Sequence, residues 1–400
     1  MRVLFLTHRL PYAPNRGDRI RAYHILRALR GRADVTLVSL AHDDEEAGKI
    51  AELNGLADSV AVARVAPLRN RIRAAGALLT GTPLTHALLD SPDMRPLLQR
   101  QVEQTPPDVV LAYCSGMARF ALEPPLASLP LVIDLVDVDS CKWSALAETT
   151  RPPLQWVYRR EAHRLAKFER DAARAAFATT VINQREADAL KQIVPDARVD
   201  VVTSGVDFSH LRAPSSPVSS SDVVFCGVMN YAPNEHGAIW LAHDVWPLVR
   251  ASVPHARLRL VGSHPTARVR ALAAADSSVE VTGEVPDVRP YLWSAAVAAA
   301  PLRTARGLQN KVLEAIAAGL PVIVTSVVAD GLPAAVLPAC RVAESAPAFA
   351  AAIVESLRTA PENRRAIVNR IDLTPLSWDR RLAPMVDLLD AAVRAGRHIG

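Results

Sequence analysis

The feature that most constrains the fold is an alternation of short aliphatic or β-branched runs with longer helical stretches, carried along the whole chain. Residues 3–7, 34–40, 59–65, 109–112, 131–135, 179–182 and 199–202 read as strands. Their apolar character is nearly continuous instead of alternating, so both faces must be buried, as in a parallel sheet covered by helices. A second series follows at 223–226, 258–261, 279–281, 297–300 and 322–325. Between the two lies Ala213-Pro-Ser-Ser-Pro-Val-Ser-Ser-Ser221, the only low-complexity segment, which reads as a linker. A chain of 400 residues also exceeds what one hydrophobic core ordinarily serves. The expectation is therefore an α/β protein of two Rossmann-like domains, 1–212 and 222–377, joined by 213–221. A cleft between them is the expected ligand site. Residues 378–400 read as a helix that packs back on the first domain, and a long charged helix is expected over 154–175.

Composition narrows the class. Half the residues are hydrophobic and 22% are charged, which excludes a disordered or fibrous chain. Only 5% are aromatic, so small aliphatic side chains must build the cores. A net charge of +5 over 400 residues is too mild for a nucleic-acid binder. The arginines are clumped, however. Arg16, Arg19, Arg21, Arg27 and Arg30 crowd the first helix, and Arg69, Arg71 and Arg73 follow. They read either as a solvated basic face or as contacts to anionic lipid or a phosphate-bearing substrate. Cys114, Cys141, Cys226 and Cys340 lack metal-type spacing and sit among apolar or small neighbours, which reads as buried reduced thiols. The first residues are too short for a signal peptide, and no apolar run reaches the ~20 residues of a membrane span. The expected location is cytoplasmic, at most peripheral to the inner face of the membrane.

Several motifs are missing: a Gly-x-Gly-x-x-Gly after a strand, a Walker loop, a paired-histidine zinc helix and a Gly-x-Ser-x-Gly elbow. No Asp-x-Asp is placed convincingly for a metal, the nearest being Asp137-Val-Asp139. The informative stretch is Ala300-Pro-Leu-Arg-Thr-Ala-Arg-Gly-Leu-Gln-Asn-Lys-Val-Leu-Glu-Ala-Ile-Ala-Ala-Gly-Leu-Pro-Val-Ile-Val-Thr325. It reads as strand, loop, helix and strand. Lys311 falls in the first helical turn, where a positive charge opposes the macrodipole. Free backbone N–H groups and a glycine loop beside it suit phosphate binding. Glu314, one turn on, can accept from both hydroxyls of a ribose. The competing reading is a surface Lys311–Glu314 ion pair.

This stretch resembles the donor-site motif of family 4 retaining glycosyltransferases, which have two facing Rossmann-like domains, the GT-B fold. Phe225-Cys-Gly-Val-Met-Asn-Tyr-Ala-Pro-Asn234, Val261-Gly-Ser-His-Pro265, Val281-Thr-Gly-Glu-Val-Pro-Asp287 and Ser204-Gly-Val-Asp207 follow the family's order. Pro11-Tyr-Ala-Pro-Asn-Arg-Gly-Asp-Arg-Ile-Arg21 resembles the glycine loop that approaches the donor diphosphate. The resemblance implies transfer of a sugar from a UDP- or GDP-sugar, without a metal or other cofactor, to a saccharide or lipid-linked acceptor. It is closest to a branch associated with exopolysaccharide gene clusters in bacteria that use exosortase sorting. The implied donor residues are Gly17, Asp18, Gly227, Asn230, Gly307, Leu308, Asn310, Lys311 and Glu314. Lys311 and Arg306 would act in catalysis by stabilising the leaving diphosphate.

Two departures stand out. Arg306 occupies the position, eight before Glu314, where most members carry a sugar-binding glutamate. Asn230, Tyr231 and Asn234 replace the usual Arg and Lys, leaving Arg303, Arg306 and Lys311 as the cations. Asp137, Asp139 and Trp143 follow a strand of the first domain and read as acceptor contacts. Alternatively Asp139 or Ser140 caps the next helix and Trp143 is core. His8 and His24 flank the first loop. A nucleotide-sugar epimerase of the same architecture and a non-catalytic nucleotide-binding scaffold remain as rival readings.

Overall fold

In the computed structural model the described residues are 1–12, 17–208, 210–213, 220–305 and 308–397, with all their side chains except those of 17, 18 and 149. The chain forms two compact units. One comprises Met1–Gly205 and Trp378–Gly400, the other Val206–Ser377.

The first unit holds seven strands: β1 (Arg2–Thr7), β2 (Asp34–Ala41), β3 (Ser59–Arg64), β4 (Val109–Tyr113), β5 (Leu131–Val136), β6 (Ala178–Val181) and β7 (Val199–Val201). They form one parallel sheet in the order β3-β2-β1-β4-β5-β6-β7. Alternate residues feed opposite cores. Val3, Phe5, Val35 and Leu37 lie in one; Leu4, Leu6, Val38 and Leu40 lie in the other. This double burial is why the strands read as continuous apolar runs. The order reverses beside β1, so the strand ends there form a topological switch point.

The Trp378–Arg397 helix belongs to this unit. Trp378, Leu382, Met385, Val386, Leu389 and Val393 make one apolar stripe at helical spacing and fill the core that also holds Val3 and Phe5. Trp378 stacks on His24 of the Gly17–Leu29 helix, with ring centroids 4.2 Å apart. His24 is thereby used in packing.

The arginines of that first helix do not form one solvated face. Arg21 is buried and grips Asp134 of β5 through two bonds of 2.6 and 3.1 Å, while Thr180 donates to the same carboxylate at 2.9 Å. Burial acts against the guanidinium charge, but Asp134 outweighs it and Arg21 is held above its ordinary pKa. Arg19 is buried against Glu46 at 3.1 Å. Only Arg27 and Arg30 of the described set are exposed, and Arg16 lies outside the described residues.

The second unit holds β8 (Asp222–Cys226), β9 (Arg257–Val261), β10 (Val279–Gly283), β11 (Val297–Ala300), β12 (Val322–Val324) and β13 (Cys340–Val342). These make a parallel sheet in the order β10-β9-β8-β11-β12-β13. The edge strand β13 was not expected. It has three residues, all at least partly exposed and one of them Arg341, so it lacks the apolar signal of the others. The chain enters this unit at Val206, ahead of the expected 213–221 linker. The Val206 N–H bonds the Leu376 carbonyl at 2.9 Å, Phe208 and Leu211 pack on the second core, and Trp293 Nε1 donates to the Leu211 carbonyl at 2.7 Å. These contacts bind the residues after 205 to the second unit. Most of the Ser/Pro segment, 214–219, lies outside the described residues. The cysteines are unpaired, and Cys141 is exposed, contrary to the expectation of four buried thiols.

Candidate functional site

In the second unit two of the candidate donor residues, Gly227 and Lys311, meet beyond the carboxyl end of β8. Two glycines allow this. Gly262, after β9, has φ +146°, and a Cβ there would lie 1.9 Å from the Gly227 carbonyl oxygen. A Cβ on Gly227 would in turn fall 2.8 Å from Asn234 Nδ2 and 3.1 Å from Lys311 Nζ. The missing side chains therefore make the space into which the Lys311 amine reaches.

Asn234 is buried in the first turn of the Ala232–Trp240 helix. Its Nδ2 donates to the Val228 carbonyl at 2.9 Å, which fixes the amide and aims Oδ1 at Lys311 Nζ, the donor of a short hydrogen bond. Lys311 itself lies in the first turn of the Asn310–Ala317 helix, whose Val312, Leu313, Ala315 and Ile316 are buried and anchor it. The amine stands 5.0 Å from the centroid of the Phe225 ring, a cation–π distance. Burial pulls its pKa from 10.5 to about 8, with Cys226 and Glu314 opposing.

Glu314 lies one turn on in the same helix, within electrostatic reach of Lys311 and Cys226. Burial raises its pKa, and Lys311 acts the other way. No ion pair joins Lys311 to Glu314, and no hydrogen bond to the Glu314 carboxylate occurs among the described residues. The surface ion pair expected as an alternative is thus not formed. Lys311 is thus a half-buried cation bonded to a neutral amide, one turn from a partly buried carboxylate without a partner among the described residues. The ammonium retains donors for an anion, and the carboxylate can accept from hydroxyls.

Around this pair, Leu308 is half-buried against the second core, Asn310 is exposed at the helix start, and Gln309 makes no side-chain cap. Asn230 is exposed in the turn after β8, and Arg303 is exposed after β11. Arg306 and Gly307 lie outside the described residues, as does the Asp18 side chain; Gly17 is the first residue of its helix. The role of Asn234 was not assigned from sequence. It stands 77 residues from Lys311, and no local pattern connects them.

The acceptor candidates lie in the first unit, beyond β5. Asp137 is exposed, and its pKa is raised by desolvation and by Glu186 and Asp139. Asp139 opens the Asp139–Thr149 helix and accepts from Ser115 Oγ at 3.1 Å; burial raises its pKa too. Neither Asp139 nor Ser140 caps the helix. Ser140 donates its N–H and hydroxyl to Glu169, whose carboxyl burial pushes up to about 7. Trp143 is half-buried, its ring tilted against Tyr158 at 5.1 Å. His8 stacks on Tyr113 at 5.6 Å. Among the described residues no group of three or more His, Cys, Asp or Glu is arranged to hold a metal ion.

Residues 220–359 match the model of the family described as glycosyl transferases group 1. The matched stretch lies within the second unit and takes in β8 to β13. No curated protein matches the sequence. Among solved structures, the chain is similar to sucrose-phosphate synthase from Thermosynechococcus elongatus at 17% identity and TM-score 0.64, covering 99% of this chain and 100% of that one. It is also similar to HepE from Anabaena in complex with UDP and glucose, at 16% identity and TM-score 0.58, covering 97% and 99%. A trehalose-phosphate synthase (UDP-forming) from Burkholderia xenovorans in complex with glucose-6-phosphate matches at 11% and 0.58, covering 97% and 100%. At these identities the likeness is one of fold: two parallel-sheet α/β domains of GT-B type.

Proposed function

We propose that the protein is a retaining glycosyltransferase that moves a sugar from a nucleoside-diphosphate sugar to a saccharide or lipid-linked saccharide. The observation that carries this reading is the Asn234–Lys311–Glu314 constellation within the matched domain. Lys311 meets the donor diphosphate and Glu314 accepts from the ribose hydroxyls. At neutral pH an amine with a pKa of about 8 is mostly protonated, so the cation is in place before the donor arrives. As the glycosidic bond breaks, negative charge grows on the departing diphosphate. A preorganised cation in a partly water-excluded setting stabilises that charge, and one such donor lowers the barrier by about 3–4 kcal/mol. Asn234 holds the amine in place through a neutral oxygen, so it does not quench the charge needed by the phosphate. The chemistry asks for no metal, and the leaving phosphate itself can take the acceptor proton.

UDP is the first choice of nucleotide, because the similar HepE binds UDP and glucose and the similar trehalose-phosphate synthase is UDP-forming. Asp137, Asp139 and Trp143 are the proposed acceptor contacts, and Arg306 a second cation. The exopolysaccharide setting rests on the family resemblance alone. A lipid-linked acceptor would bring the reaction to a bilayer surface.

Calorimetric titration with UDP and with GDP, in chelator, tests the reading on the wild type and on Glu314→Ala. Binding of one nucleotide that is lost in the variant supports it. Absence of binding by both nucleotides removes its basis. Conversion of the donor sugar without an acceptor would favour the epimerase.

A further inference from the structure

The Pro67–Ala77 helix of the first unit is turned inside out with respect to water. Its inward face carries Asn70, 1% exposed, whose amide donates to the carbonyls of Leu88 and Asp90 at 2.9 and 2.7 Å. Ala77 is buried on the same face, and Arg73 pairs with Asp90. At about 100° per residue, Leu68, Ile72 and Leu79 point the opposite way. They are 77%, 76% and 92% exposed. The turn continues past the helix end, since Leu79 N–H bonds the Gly76 carbonyl at 3.0 Å. An amphipathic helix at a protein surface ordinarily does the reverse.

Two arginines flank this stripe. Arg69 and Arg71 lie roughly 90° to either side of it. Both are exposed, and neither has an acidic partner among the described residues. Residues 59–89 hold four arginines and not one Asp or Glu. Beside the stripe, Arg160 of the Leu154–Ala175 helix bonds the carbonyls of Leu78 and Thr82 at 3.1 and 3.3 Å. Trp156, one turn before Arg160 on the same side of that helix, is 64% exposed.

We infer that this surface is a docking site for an anionic lipid bilayer. Leu68, Ile72 and Leu79 enter the acyl boundary with the helix lying in the interface plane. Arg69 and Arg71 reach the headgroup phosphates on either side, and Trp156 sits at headgroup depth, where indole rings concentrate. Charge decides between a bilayer and a second copy of this chain. A symmetric contact through the stripe would bring each basic flank against its own kind, with no carboxylate within 59–89 to compensate. An anionic leaflet is complementary to both flanks. No helix among the described residues is long and apolar enough to cross a membrane, so this contact is peripheral. It does not depend on the reaction assigned to the second unit.

The full chain is tested by co-sedimentation with vesicles of phosphatidylcholine alone and of phosphatidylcholine mixed with phosphatidylglycerol. The expected result is binding to the anionic vesicles that weakens with salt. Arg69→Gln with Arg71→Gln lowers the partition coefficient roughly twenty-five-fold, at about a factor of five per basic side chain. Leu68→Ser, Ile72→Ser and Leu79→Ser together abolish binding. All five positions are exposed, and unchanged circular dichroism checks the fold. Three results would each overturn the inference. These are failure of the wild type to bind at low salt, binding that survives both sets of changes, and a dimer in sedimentation that the Leu/Ile changes dissolve.

Discussion

Replacing Lys311 by Met should separate stability from binding. The shift from 10.5 to about 8 means that holding the amine charged in the folded protein costs about 3 kcal/mol relative to the unfolded chain. Methionine approximates its length and replaces the amine's cation–π contact with Phe225 by a sulfur–aromatic one. The loss is a donor to the buried Asn234 oxygen, worth about 1–3 kcal/mol. At pH 7 the variant should therefore be as stable as the wild type or up to about 2 kcal/mol more so. The sign reverses at high pH. The folded pKa is depressed, so the unfolded state binds more protons between 8 and 10.5, and wild-type stability relative to the variant rises through that window. The difference between the two proteins should swing by about 3 kcal/mol. Thermal melts of both across pH 7 to 11 measure it, since the groups not coupled to Lys311 titrate alike in the pair. In the same variant, affinity for UDP should fall by roughly ten- to a hundredfold as a charge-assisted bond is lost. A stability difference that is flat with pH, or a variant several kcal/mol less stable at pH 7, would refute the reasoning.

Three further outcomes are expected. Gly262→Ala places a Cβ 1.9 Å from a carbonyl oxygen at φ +146°; it should cost at least about 3 kcal/mol in thermal unfolding and abolish nucleotide binding with it. Asp134→Asn leaves Arg21 buried without its charge partner and should lower stability by about 3–5 kcal/mol, whereas Arg21→Met with Asp134→Leu should recover most of the loss in the same denaturation assay. Leu382→Ala opens the core between the carboxyl-terminal helix and β1 and should destabilise the first unit by about 2–5 kcal/mol, read by hydrogen exchange at Val3 and Phe5.

The architecture was legible because burial on both faces leaves an uninterrupted apolar run at nearly every strand. The run at 297–300 and the helix Leu154–Ala175 were found to the residue, and the carboxyl-terminal helix starts at Trp378 as expected. β13 escaped because an exposed three-residue edge strand needs no such run. The entry to the second unit was misplaced by composition: Ser/Pro richness marked 213–221, while the backbone bond from Val206 to Leu376 has no sequence signature. In the site, Lys311 and Glu314 were legible from their place in a strand–loop–helix unit. Asn234 was not, because its role is set by a contact across 77 residues. The first-helix arginines misled for a related reason. A buried Arg21–Asp134 pair and a solvated arginine look alike until the partner 113 residues away is seen.

The most direct test of the central claim is a crystal structure of the protein grown with UDP and no metal. The expected density places the diphosphate within hydrogen-bond distance of Lys311 Nζ and both ribose hydroxyls on the Glu314 carboxylate. A nucleotide bound elsewhere on the second unit, with Lys311 still bonded only to Asn234 and Glu314 still without a partner, would contradict it.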